Sequence, residues 1–312
     1  MARLAVVAIG GNSLIKSPKH QSVPDQWEAM AETSTHIAAM VARGWDVVVT
    51  HGNGPQVGFI LLRSELASHV LHTVPLDVCG ADTQGAIGYM AQVGLDAAMA
   101  RLGLSRRTAT VVTRVVVDRD DPAFQKPTKP IGPFYTQEQA ERYRGERDWS
   151  MVEDAGRGWR RVVPSPRPLE IVESDAIRTL LAAGFVVVGV GGGGIPVVRE
   201  NGDMRGVEAV IDKDYASSLL ARTIRADLLL ISTAVERVVL NYRKPDERPL
   251  DRIILSEAQR HLAEGQFPPG SMGPKIEAAI AYLQAGGKEV LITSPENLER
   301  ALAGETGTHI VA

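Results

Sequence analysis

One cysteine among 312 residues excludes a disulfide framework and any zinc site built on cysteines. An excess of one charge is also missing. The 34 basic and 37 acidic side chains leave a formal charge of −3, which offers no basic field to nucleic acid or to an anionic membrane. No apolar run is long enough to span a bilayer: the most apolar stretch, Leu180 to Val198, is broken by Gly189, Gly191 to Gly194 and Pro196. The opening MARLAVVAIGG has its apolar run too early and too short for a secretory signal. The G-x-G-x-x-G of dinucleotide folds is not found in its strand context, and the Walker G-x-x-x-x-G-K-[ST] is missing. So are a G-x-S-x-G elbow and an H-E-x-x-H pair. What remains, at 44% apolar and 23% charged residues, is an ordinary globular composition, expected in a reducing compartment.

Glycine is the informative presence. Many of the 30 glycines follow short β-branched runs. Leu4 to Ile9 reads as a buried strand running into Gly10-Gly11-Asn12. Asp25 to Val41 follows with Trp27, Met30, Ser34, Ile37 and Val41 on one helical face, Asp25 as its N-cap and Gly44 as its stop. Asp46 to Thr50 is a second strand, delivering His51-Gly52-Asn53-Gly54-Pro55, with Pro55 opening the next helix. A helix from about Asp82 to Leu102 and a strand over Thr110 to Val117 come next. The rhythm fails from Asp118 to Pro164, a stretch rich in proline and charge that is expected to be an insertion folding over something. It then resumes with helix 175–183, strand 185–190, loop 191–194, helix 214–224, strand 228–232, helix 274–285 and strand 290–293. Such alternation predicts an α/β fold with a mostly parallel sheet covered on both faces. Ligands of these sheets bind beyond the carboxyl ends of the strands, where the loops at 10–12, 52–54 and 191–194 would converge.

A glycine loop between strand and helix lets backbone N–H groups approach an anion. Three of them point to phosphate. The cations agree. Lys129 is braced by Pro127 and Pro130; Lys213 sits between Asp212 and Asp214; Lys275 opens a helix, where the dipole disfavours a cation unless an anion joins it. Three lysines without a candidate nucleophile suggest phosphoryl transfer by positioning and charge neutralisation. His51 is the one histidine near this site, and Cys79 reads as a small core residue.

Taken together, the segments resemble the carbamate kinases of the amino-acid kinase family. The matching strings include HGNGPQVG at 51–58, PLDVCGA at 75–81, KPTKPIGPFY at 126–135, GGGGIPV at 191–197, GVEAVIDKD at 206–214 and GSMGPK at 270–275. They run in order along essentially the whole chain. The resemblance implies a three-layer αβα sandwich with a small protruding subdomain over about 118–164. It implies one domain over 1–312, with a carbamate side in about 1–165 and a nucleotide side in about 166–312. The implied reaction interconverts ATP plus carbamate with ADP plus carbamoyl phosphate, using Mg2+ carried by the nucleotide phosphates and no protein metal ligands. The family often runs it toward ATP in arginine fermentation, the arginine deiminase pathway, as a cytoplasmic homodimer. By resemblance, Lys129, Lys213 and Lys275 contact the transferring phosphoryl group and Asp212 organises the lysines. The backbone around Gly10, Gly11 and Asn12 cradles phosphate, Gly52 with Asn53 helps hold the carbamoyl end, and Gly54, Gly192 and Gly193 join the same phosphate- and carbamate-binding set. Tyr242 and Met272 lie near the nucleotide, beside Lys213 and Lys275.

Asp82-Thr83 departs from the family's usual Met-Ser, and Ser13 from its usual alanine. Two other readings stay open: a sister kinase acting on an amino-acid carboxylate, which would need contacts for an α-amino group, and a silent binder of nucleotide or carbamoyl phosphate.

Overall fold

The computed structural model describes residues 3–10, 14, 15, 17, 19–154, 156 and 158–312. The chain opens with β1 (Arg3–Ile9), α1 (Val23–Ala42), β2 (Trp45–His51), α2 (Gly54–Leu66) and α3 (Leu76–Arg101). It continues through β3 (Thr108–Thr110) and β4 (Arg114–Val117) into the insertion, which holds β5 (Lys129–Tyr135), α4 (Gln137–Arg147), β6 (Met151–Glu153) and β7 (Trp159–Val163). After it come β8 (Pro168–Ile171), α5 (Ser174–Ala182), β9 (Val186–Val188), β10 (Ile195–Glu200), β11 (Asp203–Gly206), α6 (Lys213–Thr223) and β12 (Leu228–Ser232). The last part comprises β13 (Val239–Leu240), β14 (Arg248–Pro249), β15 (Arg252–Ile254), α7 (Leu255–Ala263), α8 (Met272–Gln284), β16 (Glu289–Thr293), α9 (Leu298–Leu302) and β17 (Thr308–Val311).

An eight-stranded sheet in the order β15-β17-β16-β12-β1-β2-β9-β3 forms the middle layer. Its pairings are parallel except β16 with β17. Side chains alternate between the faces of a strand, and the core follows that period. Ala5, Val7 and Ile9 of β1, Val47 and Val49 of β2 and Leu228 and Leu230 of β12 pack with Met30 and Ile37 of α1 and Ile87 and Leu95 of α3. Val6, Val48, Leu229 and Ile231 face the other way, against Ile177 of α5, Leu220 of α6 and Ile276 of α8. Both faces are buried, which is why the strands read as continuous apolar runs rather than alternating ones. The result is the expected three-layer αβα sandwich. A smaller mixed sheet, β11-β10-β4-β8, lies beside it.

Several boundaries differ from the sequence reading. Ser22, not Asp25, caps α1: its hydroxyl accepts from the Asp25 N–H, while the Asp25 carboxylate accepts from the Ser22 N–H at 2.9 Å, a reciprocal capping box. Helix α3 starts at Leu76 rather than Asp82, because Leu76 and Cys79 pack into a small core with Val57, Ile131, Val163 and Val210. That burial outweighs the helix-weakening Gly80 and Gly85. The strand expected over 110–117 is two strands in different sheets. The buried Gln84 amide breaks the run by accepting from the Thr113 N–H at 2.7 Å and donating to the Thr113 carbonyl at 3.0 Å.

The insertion is an ordered subdomain, a three-stranded antiparallel sheet β5-β7-β6 with α4. Its buried side chains, among them Ala140, Met151 and Val162, are flanked by partly exposed aromatics and guanidiniums. Trp149 lies 4.9 Å from Tyr143 by ring centroid, with Arg161 4.4 Å above its ring, and Arg144 sits 4.5 Å over Trp159.

A lysine pocket at the strand ends

Four segments meet beyond the carboxyl ends of the central strands and enclose a cavity of about 190 Å³. Gly52, Asn53 and Gly54 bring the turn from β2 into α2; Lys129 begins β5 of the insertion; Asp212, Lys213 and Asp214 start α6; Gly270, Ser271 and Lys275 enter α8. Gly192 supplies a further wall.

The charges are interlocked. Lys129 Nζ donates to Asp212 Oδ2 at 2.5 Å. The other oxygen of Asp212 caps α6 by accepting the Asp214 N–H at 2.9 Å. Asp214, with a side chain 4% exposed, takes Lys213 Nζ at 2.6 Å on one oxygen and Lys275 Nζ at 2.9 Å on the other. The resemblance gives the organising of the lysines to Asp212 alone. In the structure two aspartates share it, with Asp212 holding Lys129 and Asp214 holding the other two. Sequence reasoning misses Asp214 as a site residue; the signal available is its place on the far side of Lys213 from Asp212, a second acid at a junction that gathers ammonium groups.

Burial shapes the protonation of these groups. Desolvation works to raise the Asp214 carboxyl, but Lys213 and Lys275 outweigh it and hold it well below the usual carboxylate range. Burial pushes the Lys213 ammonium downward; Asp214 opposes this shift and the neighbouring Lys275 charge adds to it. Lys213 is therefore the opposite of a solvated lysine beside a cap.

The glycines explain themselves by contact. A Cβ on Gly192 would stand 2.0 Å from Asn53 Nδ2, so this position, at φ +67°, lets the third loop close against the second. Asn53 Nδ2 in turn donates to Thr83 Oγ1 at 2.8 Å, and that hydroxyl donates to the Gly80 carbonyl at 2.7 Å. The departure at Thr83 thus keeps a hydroxyl where it holds Asn53, while Asp82 is an exposed residue inside α3 rather than its start. His51 is buried just behind. Its Nδ1–H donates to the Gly52 carbonyl at 3.1 Å, and burial, with the Lys213 charge adding, lowers its pKa to about 4, so the ring is neutral at pH 7.

Of the sequence-derived candidates, the structure brings Lys129, Lys213, Lys275, Asp212, Gly52, Asn53, Gly54 and Gly192 to one cavity. Gly11 and Asn12 lie outside the described residues. Gly10 sits at the end of β1, where a Cβ would meet the Ser232 carbonyl at 3.0 Å, and Gly193 packs on the Ile211 carbonyl; neither lines the cavity. Met272 begins α8 packed against the main core, and Tyr242 is 49% exposed between β13 and β14; both stand outside the lining. Near Gly10, Ser232 Oγ and Thr293 Oγ1 at the carboxyl ends of β12 and β16 are buried without a hydrogen-bond partner, an arrangement that favours a polar ligand. Among the described residues no group of three His, Cys, Asp or Glu side chains is placed to hold a metal ion. No helix among them is long and apolar enough to cross a membrane.

Comparison with known proteins agrees with this geometry. The pattern of the amino acid kinase family matches residues 3–294. The carbamate kinase-like protein YahI of Escherichia coli is 53% identical, the alignment covering 100% of this chain and 99% of that one. The carbamate kinase of Thermococcus kodakarensis is 46% identical, with 98% of each chain covered. Among solved structures, carbamate kinase from Giardia lamblia bound to AMP-PNP superposes with a TM-score of 0.92 at 45% identity, covering 99% of this chain and 98% of that one. The chain belongs to the amino acid kinase family, within its carbamate kinase branch.

Proposed function

We propose that this chain is a phosphotransferase that interconverts ATP plus carbamate with ADP plus carbamoyl phosphate. The observation that carries the reading is the convergence of three lysines, each paired with a buried or half-buried aspartate, on one cavity walled by glycine turns. In the forward direction a carbamate oxygen forms a bond to the γ-phosphorus as the bond to the ADP oxygen breaks. Carbamate is already an oxyanion, so no general base is required. That suits a pocket whose two aspartates are both engaged by lysines and whose nearest histidine, His51, is buried behind it. Lys213 and Lys275, from two helix N-termini, and Lys129, from the insertion, offset the negative charge that must gather in line. The α6 and α8 N-termini add their dipoles. Magnesium is expected to enter with the nucleotide phosphates, whose charge it neutralises, because Asp212 and Asp214 already serve lysines.

The carbamate side is assigned to residues 1–165 and the nucleotide side to residues 166–312, all in one domain. Gly10, Gly11 and Asn12 are assigned to phosphate, Gly52 and Asn53 to the carbamoyl end, Gly54, Gly192 and Gly193 to phosphate or carbamate, and Tyr242 and Met272 to the nucleotide. The buried hydroxyls of Ser232 and Thr293 support a ligand on the 166–312 side. A cytoplasmic homodimer that makes ATP from carbamoyl phosphate during arginine catabolism completes the proposal.

An amino-acid substrate is disfavoured on a specific ground. The acids lining the cavity among the described residues, Asp212 and Asp214, both serve lysines and so offer little counter-charge to an α-ammonium group. The test is ADP release from MgATP with carbamate, compared with glutamate, N-acetylglutamate and aspartate. Turnover confined to carbamate is expected; faster turnover with an amino-acid carboxylate would overturn the assignment.

A further inference from the structure

The motif HGNGPQVG ends in a glycine, Gly58, that the phosphate-binding reading leaves unexplained. It lies one turn into α2 and is buried. A Cβ built on it would stand 2.1 Å from Gly132 Cα and 2.6 Å from Gly132 N. Gly132 is the glycine of KPIGPFY, on β5 of the insertion, at φ +72°. Two backbones from distant parts of the chain therefore touch with no side chain between them. The contact is packed. Val57 beside Gly58 and Ile131 beside Gly132 belong to one small apolar core. Arg160 Nη2 donates to the Gly132 carbonyl at 3.1 Å, and farther along α2, Glu65 pairs with Arg147 of α4.

The geometry points to a role for this pair: we infer that the Gly58–Gly132 contact is the positioning device that sets how far Lys129 reaches into the cavity. Lys129 lies three residues before Gly132 on the same strand, and its ammonium meets Asp212 at 2.5 Å. At its other end, α2 begins with Gly54, which lines the same cavity. One rigid helix thus gauges the distance between the glycine turn and the lysine carried by the insertion. Non-bonded carbons sit about 3.5–4.0 Å apart. A methyl group at Gly58 would therefore drive β5 away by roughly 1.5 Å, and a misplacement of about 1 Å can cost about a hundredfold in rate. The approach itself requires glycine at Gly58; at Gly132 an added Cβ would meet Gly58 Cα only at 3.7 Å, an ordinary contact, and it is the φ of +72° that favours glycine there.

The inference rests on Lys129 acting on the transferring phosphoryl group, and the test separates the two. The full-length enzyme is assayed for ATP formation from carbamoyl phosphate and for ADP affinity, as wild type, Gly58→Ala, Lys129→Ala, the double variant and Gly145→Ala. Gly145 is a control on α4, where an added Cβ meets nothing within 4 Å. Gly58→Ala should lose about a hundredfold in kcat/KM for carbamoyl phosphate while ADP affinity stays within about twofold. If it acts through Lys129, the double variant should be no worse than Lys129→Ala alone, and Gly145→Ala should match wild type. Near-wild-type kinetics of Gly58→Ala, or losses that multiply in the double variant, would overturn the inference while leaving the lysine's role standing. Full activity of Lys129→Ala would overturn both. Circular dichroism checks that each variant folds. Should Gly58→Ala fail that check, Glu65→Gln, which loosens the far end of the same contact, takes its place in the cycle, with an expected loss of about threefold that again disappears without Lys129; unchanged kinetics would refute the device.

Discussion

Replacing Asp214 by asparagine should do more damage than its absence from the sequence-derived site residues suggests. The carboxylate touches Lys213 at 2.6 Å and Lys275 at 2.9 Å and is 4% exposed. Asparagine keeps the shape and can still accept one hydrogen bond, but it leaves two neighbouring ammonium groups in a poorly hydrated site without counter-charge. Breaking a buried ion pair by removing one partner costs about 3–5 kcal/mol. Lys213 responds further. Its pKa is already lowered by burial and by Lys275 against the support of Asp214, so losing that support lowers it again and favours the neutral amine. A neutral amine cannot offset phosphoryl charge, and loss of one such electrostatic contact costs about 10²–10³ in turnover. The alkaline limb of the pH–activity profile should move to lower pH in the variant. Acid stability gives the second sign. A carboxyl held below its unfolded value stabilises the native state above that value, near pH 4, and loses this contribution as pH falls through the native value. The wild type should therefore weaken in acid by a component that the variant lacks. Urea titrations at pH 7 and below, beside pH–rate profiles for both proteins, measure this. Wild-type turnover with an unmoved alkaline limb would refute the reasoning.

Other outcomes follow from the same geometry. Lys213→Ala and Lys275→Ala should each lower turnover by about 10²–10³ with circular dichroism unchanged; wild-type rates in either would remove that lysine from the chemistry. Deleting the 118–164 insertion should reduce activity on carbamoyl phosphate far more than ADP affinity, and equal losses in calorimetry and kinetics would make the insertion a purely structural element. His51, lowered by burial to about 4 from 6.5, is neutral in the fold and charges on unfolding. Its contribution is present above pH 6.5 and lost as pH falls toward 4, about 3 kcal/mol in all. An NMR titration showing His51 protonating near pH 6.5 in the native protein would contradict the burial argument.

The elements most legible in the sequence are those with one dominant cause. Leu228–Ser232 reads to the residue and Glu289–Thr293 to within one, because strands buried on both faces between turn residues need only a continuous apolar run. The insertion reads as a break in rhythm but not as a sheet. It is held by a few scattered buried residues such as Ala140, Met151 and Val162, by rings beside guanidiniums and by a docking onto α2, none of which leaves a period in the chain. Short polar strands such as β11 and β14 are held by their partners rather than by their own residues. Within the site, the lysines can be found from their local settings. Asp214 is only hinted at by its place beside Lys213, because its full role depends on Lys275, 61 residues away in sequence and 2.9 Å away in space. Gly58 is similar: its reason is Gly132, on the far side of α3 in sequence.

The most direct test of the central claim is ATP formation from ADP, magnesium and carbamoyl phosphate in a coupled assay. A blank without enzyme corrects for spontaneous breakdown of carbamoyl phosphate, and Lys213→Ala serves as the control. Rapid ATP synthesis that collapses in the Lys213 variant is the predicted result. Tight ADP binding with no ATP formed by the wild type, or synthesis indifferent to Lys213, would contradict it.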